Sequence, residues 1–287
     1  MVVYYYRFNN TRPPFNDVRV REAVSLAIDR QNIVDYVTKL GESPAFLFVP
    51  PGMPGYEPPS TDLSMNIERA KQLLAEAGYP NGEGMKELGI LYNTQETHRK
   101  IAEAIADQLR RNLGIKVKAY NQEWQAYQAT TLKLDYDMAR AGWIGDYSDP
   151  KTFLDMWVTK GGNNQTGYSN PTYDSLIRFA ANVNAFIDVA DEWMGKLKEP
   201  ERAQGLLDAV KNAPSPDKAV EAMAALRMHL LREAEAIIVQ DDYPIMPIYF
   251  YVVSSLVKPY VQGFYANRQD IHPIRGMWID HSNPVER

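Results

Sequence analysis

Leu88-Gly89-Ile90-Leu91-Tyr92-Asn93, Ile115-Lys116-Val117-Lys118-Ala119-Tyr120 and Tyr136-Asp137-Met138-Ala139-Arg140-Ala141-Gly142-Trp143 are three short runs that read as β-strands. Two helical stretches separate them. Thr94 to Asn112 places apolar residues at Ile101, Ile105 and Leu109, then Leu113, before Gly114 stops it; Glu123 to Leu132 is the second. Strand, helix, strand, helix, strand predicts an α/β fold with a mainly parallel mixed sheet flanked by helices. Sheets of this kind take ligands at the carboxyl ends of their strands.

One such end is the richest part of the chain, Ala139-Arg140-Ala141-Gly142-Trp143-Ile144-Gly145-Asp146-Tyr147-Ser148-Asp149-Pro150. It sets a permanent cation and a carboxylate six residues apart, around Gly142-Trp143. Arg140 on the strand and Asp146 in the turn after it could hold the two ends of a zwitterion, and a peptide is one. Strand alternation puts Arg140 on a face with Tyr136, Met138 and Gly142. The competing reading pairs Arg140 with Asp135 or Asp137 at a sheet edge. Asp149-Pro150 suits the cap of the helix from Lys151, which leaves Asp146 free. Gly142 lets a ligand backbone approach, and Gly142 to Asp146, Ile144 included, could offer backbone groups to an extended peptide.

The rest of the chain sets bounds. Its 287 residues, 45% hydrophobic and 23% charged, suit a folded protein of one large or two ordinary domains. A net charge of -5 gives no reason to expect nucleic acid as a partner. With no cysteine there is no disulfide, thiolate metal site or cysteine nucleophile. The apolar runs Ala45 to Val49 and Ile245 to Val253 are too short or proline-broken to span a membrane. Met1 to Arg7 is no signal peptide and reads as a strand entered in mid-stride. Catalysis is not expected. Ser148 and Ser169 lack a nucleophile elbow, the four histidines are scattered, and Gly161 to Asn164 lacks the lysine of a phosphate loop. No cofactor is expected, and no ligand set at metal spacing surrounds His98.

Outside the three strands, Asn16 or Asp17 caps a helix from Val18 to Ile28, and Asp29 caps a short one through Val37. Pro44 to Pro59 is loop, and Asn66 caps Ile67 to Ala77. Residues 151–158 and 172–185 read as helices, 189–216 as a charged helical excursion, and Asp217 to Ala236 as a long helix. Ile245 to Tyr251 and Val252 to Val257 read as two strands or one bent strand, and His281 to Arg287 as polar coil.

Several segments in order carry a resemblance: Phe8-Asn9-Asn10, Pro13 to Arg21, Ala27-Ile28-Asp29-Arg30, Ala70 to Gly78, Leu91-Tyr92-Asn93-Thr94 with His98, Asn121-Gln122-Glu123-Trp124, Ala139 to Pro150, and Pro247-Ile248-Tyr249. Together they resemble the oligopeptide-binding proteins of bacterial ABC importers, in the peptide, dipeptide and nickel solute-binding family. The resemblance implies a type II periplasmic-binding-protein fold of two lobes closing on a peptide. The chain would supply one lobe, 1–257 with a helical excursion near 186–236, and a segment, 258–287, that crosses back to the other. The signal sequence and first lobe would be absent from the chain, and the whole protein periplasmic or extracytoplasmic, free or lipid-anchored, with membrane permease subunits as partners. The resemblance gives Asp146 the ligand's amino group, and Arg140 and His98 its carboxylate. It makes Trp124, Trp143 and Tyr249 pocket walls. It also exposes departures: Thr131 stands where the family has a further basic residue, and near Tyr36 only Lys39, out of register, is basic. The alternative ligand is another solute: a dipeptide, nickel complex, haem or oligosaccharide.

Overall fold

The computed structural model describes residues 1–61, 64–265, 267 and 270–282. The chain opens on β1 (Val2–Phe8), then α1 (Val18–Leu26) and α2 (Arg30–Asn32), which a π-type turn extends to Thr38. Asp17 and Asp29 accept from the backbone N–H groups of Arg19 and Asn32, satisfying donors that a helix start leaves orphaned. A two-residue β2 (Ser43–Pro44), the proline-rich loop and α3 (Ile67–Glu76) follow. The alternating segment then forms β3 (Leu88–Asn93), α4 (Glu96–Leu113), β4 (Val117–Gln122), α5 (Trp124–Leu132) and β5 (Met138–Ile144).

The sheet is mixed, in the order β2-β6-β1-β5-β3-β4, with β6 spanning Ile245–Phe250. β3 pairs in parallel with β4 and β5, as the helical connections require. β1 lies antiparallel between β5 and β6, so β3, β4, β5 and β6 all point one way and their carboxyl ends share one edge. β6 ends at Phe250, and residues 252–257 are not strand. Val252 and Val253 are β-formers, but they are exposed and have no neighbouring strand to pair with.

Alternation sends successive β1 tyrosines to opposite faces. Tyr5 meets Phe48 and Trp157 edge-on, with ring centroids 5.0 and 5.6 Å apart, on one face. Tyr4 stacks on Tyr249 at 4.7 Å and approaches His98 of α4 on the other. After β5 come α6 (Lys151–Leu154), α7 (Pro171–Ala181) and the excursion, α8 (Val183–Ile187), α9 (Ala190–Trp193) and α10 (Pro200–Lys211). These pack beside α11 (Pro216–Ala236) through residues such as Phe179, Leu207, Leu226 and Leu230 of the main core. Within α11, Glu235 is fully buried and accepts from Phe48 N, Val49 N and the Tyr56 hydroxyl, pinning the proline-rich loop. Beyond Lys258 two short strands pair, β7 (Val261–Gln262) and β8 (Trp278–Ile279); the polar tail read at 281–287 lies outside the described residues from 283 on. No described helix is long and apolar enough to cross a membrane.

Candidate functional site

β5 is an interior strand between β1 and β3, so the edge-strand reading of Arg140 fails. Asp135 and Asp137 are also taken elsewhere, Asp135 by Arg12 and Asp137 by Arg12 and Lys86. The Arg140 guanidinium instead lies over the Tyr4 ring, 4.7 Å from its centroid. Nη1 donates to Asn93 Oδ1 at 3.2 Å and Nη2 to the Tyr251 hydroxyl at 3.1 Å. Nε has no hydrogen-bond partner, and no described carboxylate forms an ion pair with Arg140. Burial opposes its charge, but the phenols of Tyr4, Tyr251 and Tyr127 outweigh that, and its pKa lies above the ordinary value. A charged guanidinium held by neutral partners keeps hydrogen-bonding capacity that a carboxylate could use.

The face of Arg140 differs in one member from the expected set. Tyr4 pairs with Gly142 and Tyr6 with Arg140, so these side chains share a face with Met138. Tyr136 precedes β5 and packs with Leu91, Tyr127 and Ala139 instead. The bend at Asp137, ahead of the first paired residue, breaks the alternation. Gly142 leaves room for Arg140: a Cβ there would sit 3.3 Å from Arg140 Nη2, a tight contact that would make the guanidinium shift slightly. Trp143 points to the opposite face, partly buried against the main core, and its indole N–H donates to Thr152 O at 2.7 Å. It braces the turn after the strand rather than standing beside Arg140.

That turn carries Asp146. Gly145 opens it, because a Cβ there would fall 2.8 Å from the Phe153 ring. The Thr152 hydroxyl accepts from Asp146 N at 3.1 Å and lies 3.4 Å from Asp146 Oδ2. Asp146 is exposed and forms no ion pair with a described residue. Asp149 takes the structural duty, accepting from Lys151 N at 2.9 Å and from both terminal nitrogens of Arg227 on α11. Ile144, between the strand and the turn, is 67% exposed.

His98 is buried, not superficial, with Nδ1 3.3 Å from the Tyr4 hydroxyl. Burial, with the Arg140 charge adding to it, pushes its pKa down to about 3. It is therefore a neutral hydrogen-bonding group at neutral pH. Tyr249 is also corrected: it is 2% exposed beneath Tyr4 and Tyr251, so it supports the face and Tyr251 presents to it. Tyr251, Tyr4 and Asn93 are the members that sequence reasoning did not single out as site residues. The spacing 249, 251 was the available signal, since it repeats one face of an extended chain. Trp124 is 53% exposed and stacks on Tyr127 at 5.7 Å, while the Tyr127 hydroxyl donates to Arg140 O. Thr131 is buried and donates to Gln128 O, and Tyr36 and Lys39 are exposed, so none adds a cation to this face. A cavity of about 470 Å³ adjoins the same sheet edge, lined in part by Met1, Val2, Phe250, Tyr251, Phe264 and His272. Neither Arg140 nor Asp146 lines it; Tyr251 links the two.

The carboxyl edge of the sheet thus holds, among the described residues, a cation without a carboxylate, a carboxylate without a cation and exposed aromatic surface. Residues 1–165 match the middle region of the bacterial extracellular solute-binding proteins, family 5, and the chain belongs to that family. It is 35% identical over 269 residues to the periplasmic oligopeptide-binding protein OppA of Salmonella typhimurium, covering 92% of this chain and 42% of that one. The murein tripeptide binding protein MppA of Escherichia coli superposes with a TM-score of 0.73 at 32% identity, covering 97% of this chain and 48% of that one. OppA of Haemophilus influenzae, solved in complex with RPPGFSPFR, superposes with a TM-score of 0.71 at 31% identity over the same shares. The chain thus spans less than half the length of these relatives.

Proposed function

We propose that this chain is the lobe of an extracytoplasmic solute-binding protein that captures oligopeptides for a bacterial ABC importer. Arg140 carries the reading: it is a half-buried cation whose described partners are all neutral, and a carboxylate would complete it. Asp146, six residues on, is a carboxylate with no cation, and a peptide's α-ammonium would complete that. At about 3.3 Å per residue the two Cα atoms lie at most roughly 20 Å apart, a separation on the scale of a short extended peptide. His98 assists as a neutral partner to the ligand's carboxylate, relayed through Tyr4. Gly142 and Ile144 offer backbone groups to the ligand, Trp124 walls a side-chain pocket, and Trp143 and Tyr249 support the wall from behind.

Closure of a second lobe would desolvate both ion pairs and strengthen them. We assign residues 1–257 to the lobe and 258–287 to a connection toward the other lobe. The membrane permease subunits of the importer are the proposed partners, and the periplasm or outer surface the proposed site of action. The relatives' names, which speak of oligopeptides and a murein tripeptide, support the ligand class.

The test is titration of the full-length protein with a free tripeptide and its amino-acetylated form by calorimetry. Loss of binding on acetylation is expected. Equal affinity for both would overturn the peptide reading in favour of a solute without a required ammonium group.

A further inference from the structure

His229 has a buried ring and no hydrogen bond. It sits on α11 at 2% exposure, and neither ring nitrogen has a hydrogen-bond partner, a costly state for a buried polar group. One helical turn on, Glu233 is 3% exposed and its Oε1 lies 3.5 Å from His229 Nε2. Residues four apart share a helix face, so α11 fixes this pair. Glu199, at the start of α10, adds a third donor, and one ligand atom from each residue falls within 4.8 Å of the others. This cluster belongs to the excursion whose role the sequence left open.

We propose that Glu199, His229 and Glu233 form a divalent transition-metal site, suited to Zn²⁺. One imidazole nitrogen and two carboxylate oxygens make a set that zinc accepts, with water as a fourth ligand. A cavity of about 220 Å³, lined by Glu199 and Glu233 among others, gives the ion and the water a way in. The carboxylates are already oriented. Glu233 accepts from Lys198 N at 2.7 Å and Glu199 N at 2.8 Å. Glu199 accepts from Arg232 at 2.7 and 3.0 Å, with Arg202 3.7 Å away. Such outer contacts hold ligands in place.

Zinc bonds of about 2.0–2.2 Å need donors roughly 3.4 Å apart, so the set must draw in by up to about 1.4 Å. Glu199 is the more exposed carboxylate and makes most of that movement, releasing one oxygen from Arg232. Lys198, Arg202 and Arg232 repel a dication, which sets the affinity near micromolar rather than nanomolar. The bound ion fastens α10 to α11.

The proposal does not depend on the peptide reading. The chain is stripped with a chelator, passed over a desalting column and titrated with zinc chloride by calorimetry, with metal content and thermal melting measured in parallel. One equivalent of Zn²⁺ and an upward shift of a few degrees in melting are expected. His229→Gln should weaken binding about 30-fold or more and abolish the shift, whereas His281→Gln, on the exposed tail, leaves both unchanged. Should His229→Gln fail to fold by circular dichroism, Glu199→Gln on the more exposed ligand serves instead, with a loss of about 10-fold expected. No saturable uptake at roughly 100 µM Zn²⁺, or equal uptake by wild type and the folded ligand variant, overturns the site.

Discussion

Arg227 of α11 closes on both carboxylate oxygens of Asp149, at 2.7 and 2.9 Å, and so anchors the turn that presents Asp146. Asp149 is neutralised and immobile; Asp146, three residues earlier, has only the Thr152 hydroxyl. One aspartate builds the turn, and the other has no cation among the described residues. Replacing Arg227 with Ala should cost about 1–3 kcal/mol in denaturant unfolding, because Asp149 loses a charge-assisted bidentate partner. A change below about 0.5 kcal/mol would show that the pair is ornamental.

Arg140→Met in the full-length protein should weaken tripeptide binding by about 100-fold or more while leaving the melt nearly unchanged. A methionine fills the aliphatic volume but offers the peptide carboxylate no donor, and loss of a buried charged hydrogen-bonding partner costs roughly 2–5 kcal/mol. Calorimetry finding less than a threefold effect would remove Arg140 from the ligand.

Asp146→Asn should act on one terminus only. Affinity for a free-amine peptide falls by about 10- to 100-fold, and affinity for the acetylated peptide, already weak, does not change. A double-mutant cycle between residue and ligand measures this directly. Equal losses for both peptides would mean that Asp146 supports the turn instead.

Gly142→Ala should show how tightly Arg140 is packed. The new methyl would lie 3.3 Å from Nη2, so the guanidinium must shift from its seat over Tyr4. We expect a loss of about fivefold or more in peptide affinity with stability changed by less than about 1 kcal/mol, read from paired titration and unfolding curves.

The pH dependence of stability has two opposed parts. Burial pushes Glu235 up to about 7, outweighing its three hydrogen bonds. A carboxyl raised from about 4.5 binds its proton more tightly when folded. Its contribution is therefore full below about pH 4.5 and is lost as pH rises through 7. His98 and His229, pushed down by burial to about 3 and about 4, act oppositely. The unfolded chain protonates them first, so stability falls as pH drops below about 6.5. Glu235→Gln should flatten the decline between about pH 4.5 and 7, with a difference from wild type of at most about 3 kcal/mol across that window. Parallel curves for the two proteins would place the titration elsewhere.

Much of this was legible in the chain. The 88–143 alternation gave each strand and helix to within a few residues, because periodicity and caps are local signals. The sites of Asp17, Asp29 and Asn66 as helix caps were likewise local. The place of β1 was not, since its neighbours come from residues 138–144 and 245–250 and no nearby signal encodes that pairing. Of the site, Arg140 and Asp146 were visible as unlike charges beside a glycine. The burial of His98 and Tyr249 was not, for it depends on Tyr4 of β1 meeting Tyr249 and Tyr251 from the neighbouring β6 chain and His98 from α4. The His229–Glu233 pair was four apart on a helix and could have been flagged, but Glu199 comes from another element.

The insertion of the first strand between β5 and β6 also governs how the molecule is made. Val2–Phe8 precedes both of its partners in the chain, so both of its hydrogen-bonding edges stay unmet until residues near 140 and then 250 have been made. Such long-range closure is slow, and the waiting segment, Val2-Val3-Tyr4-Tyr5-Tyr6, is a sticky aromatic ribbon. Correct folding therefore requires that this ribbon find no other partner before β6 has been made.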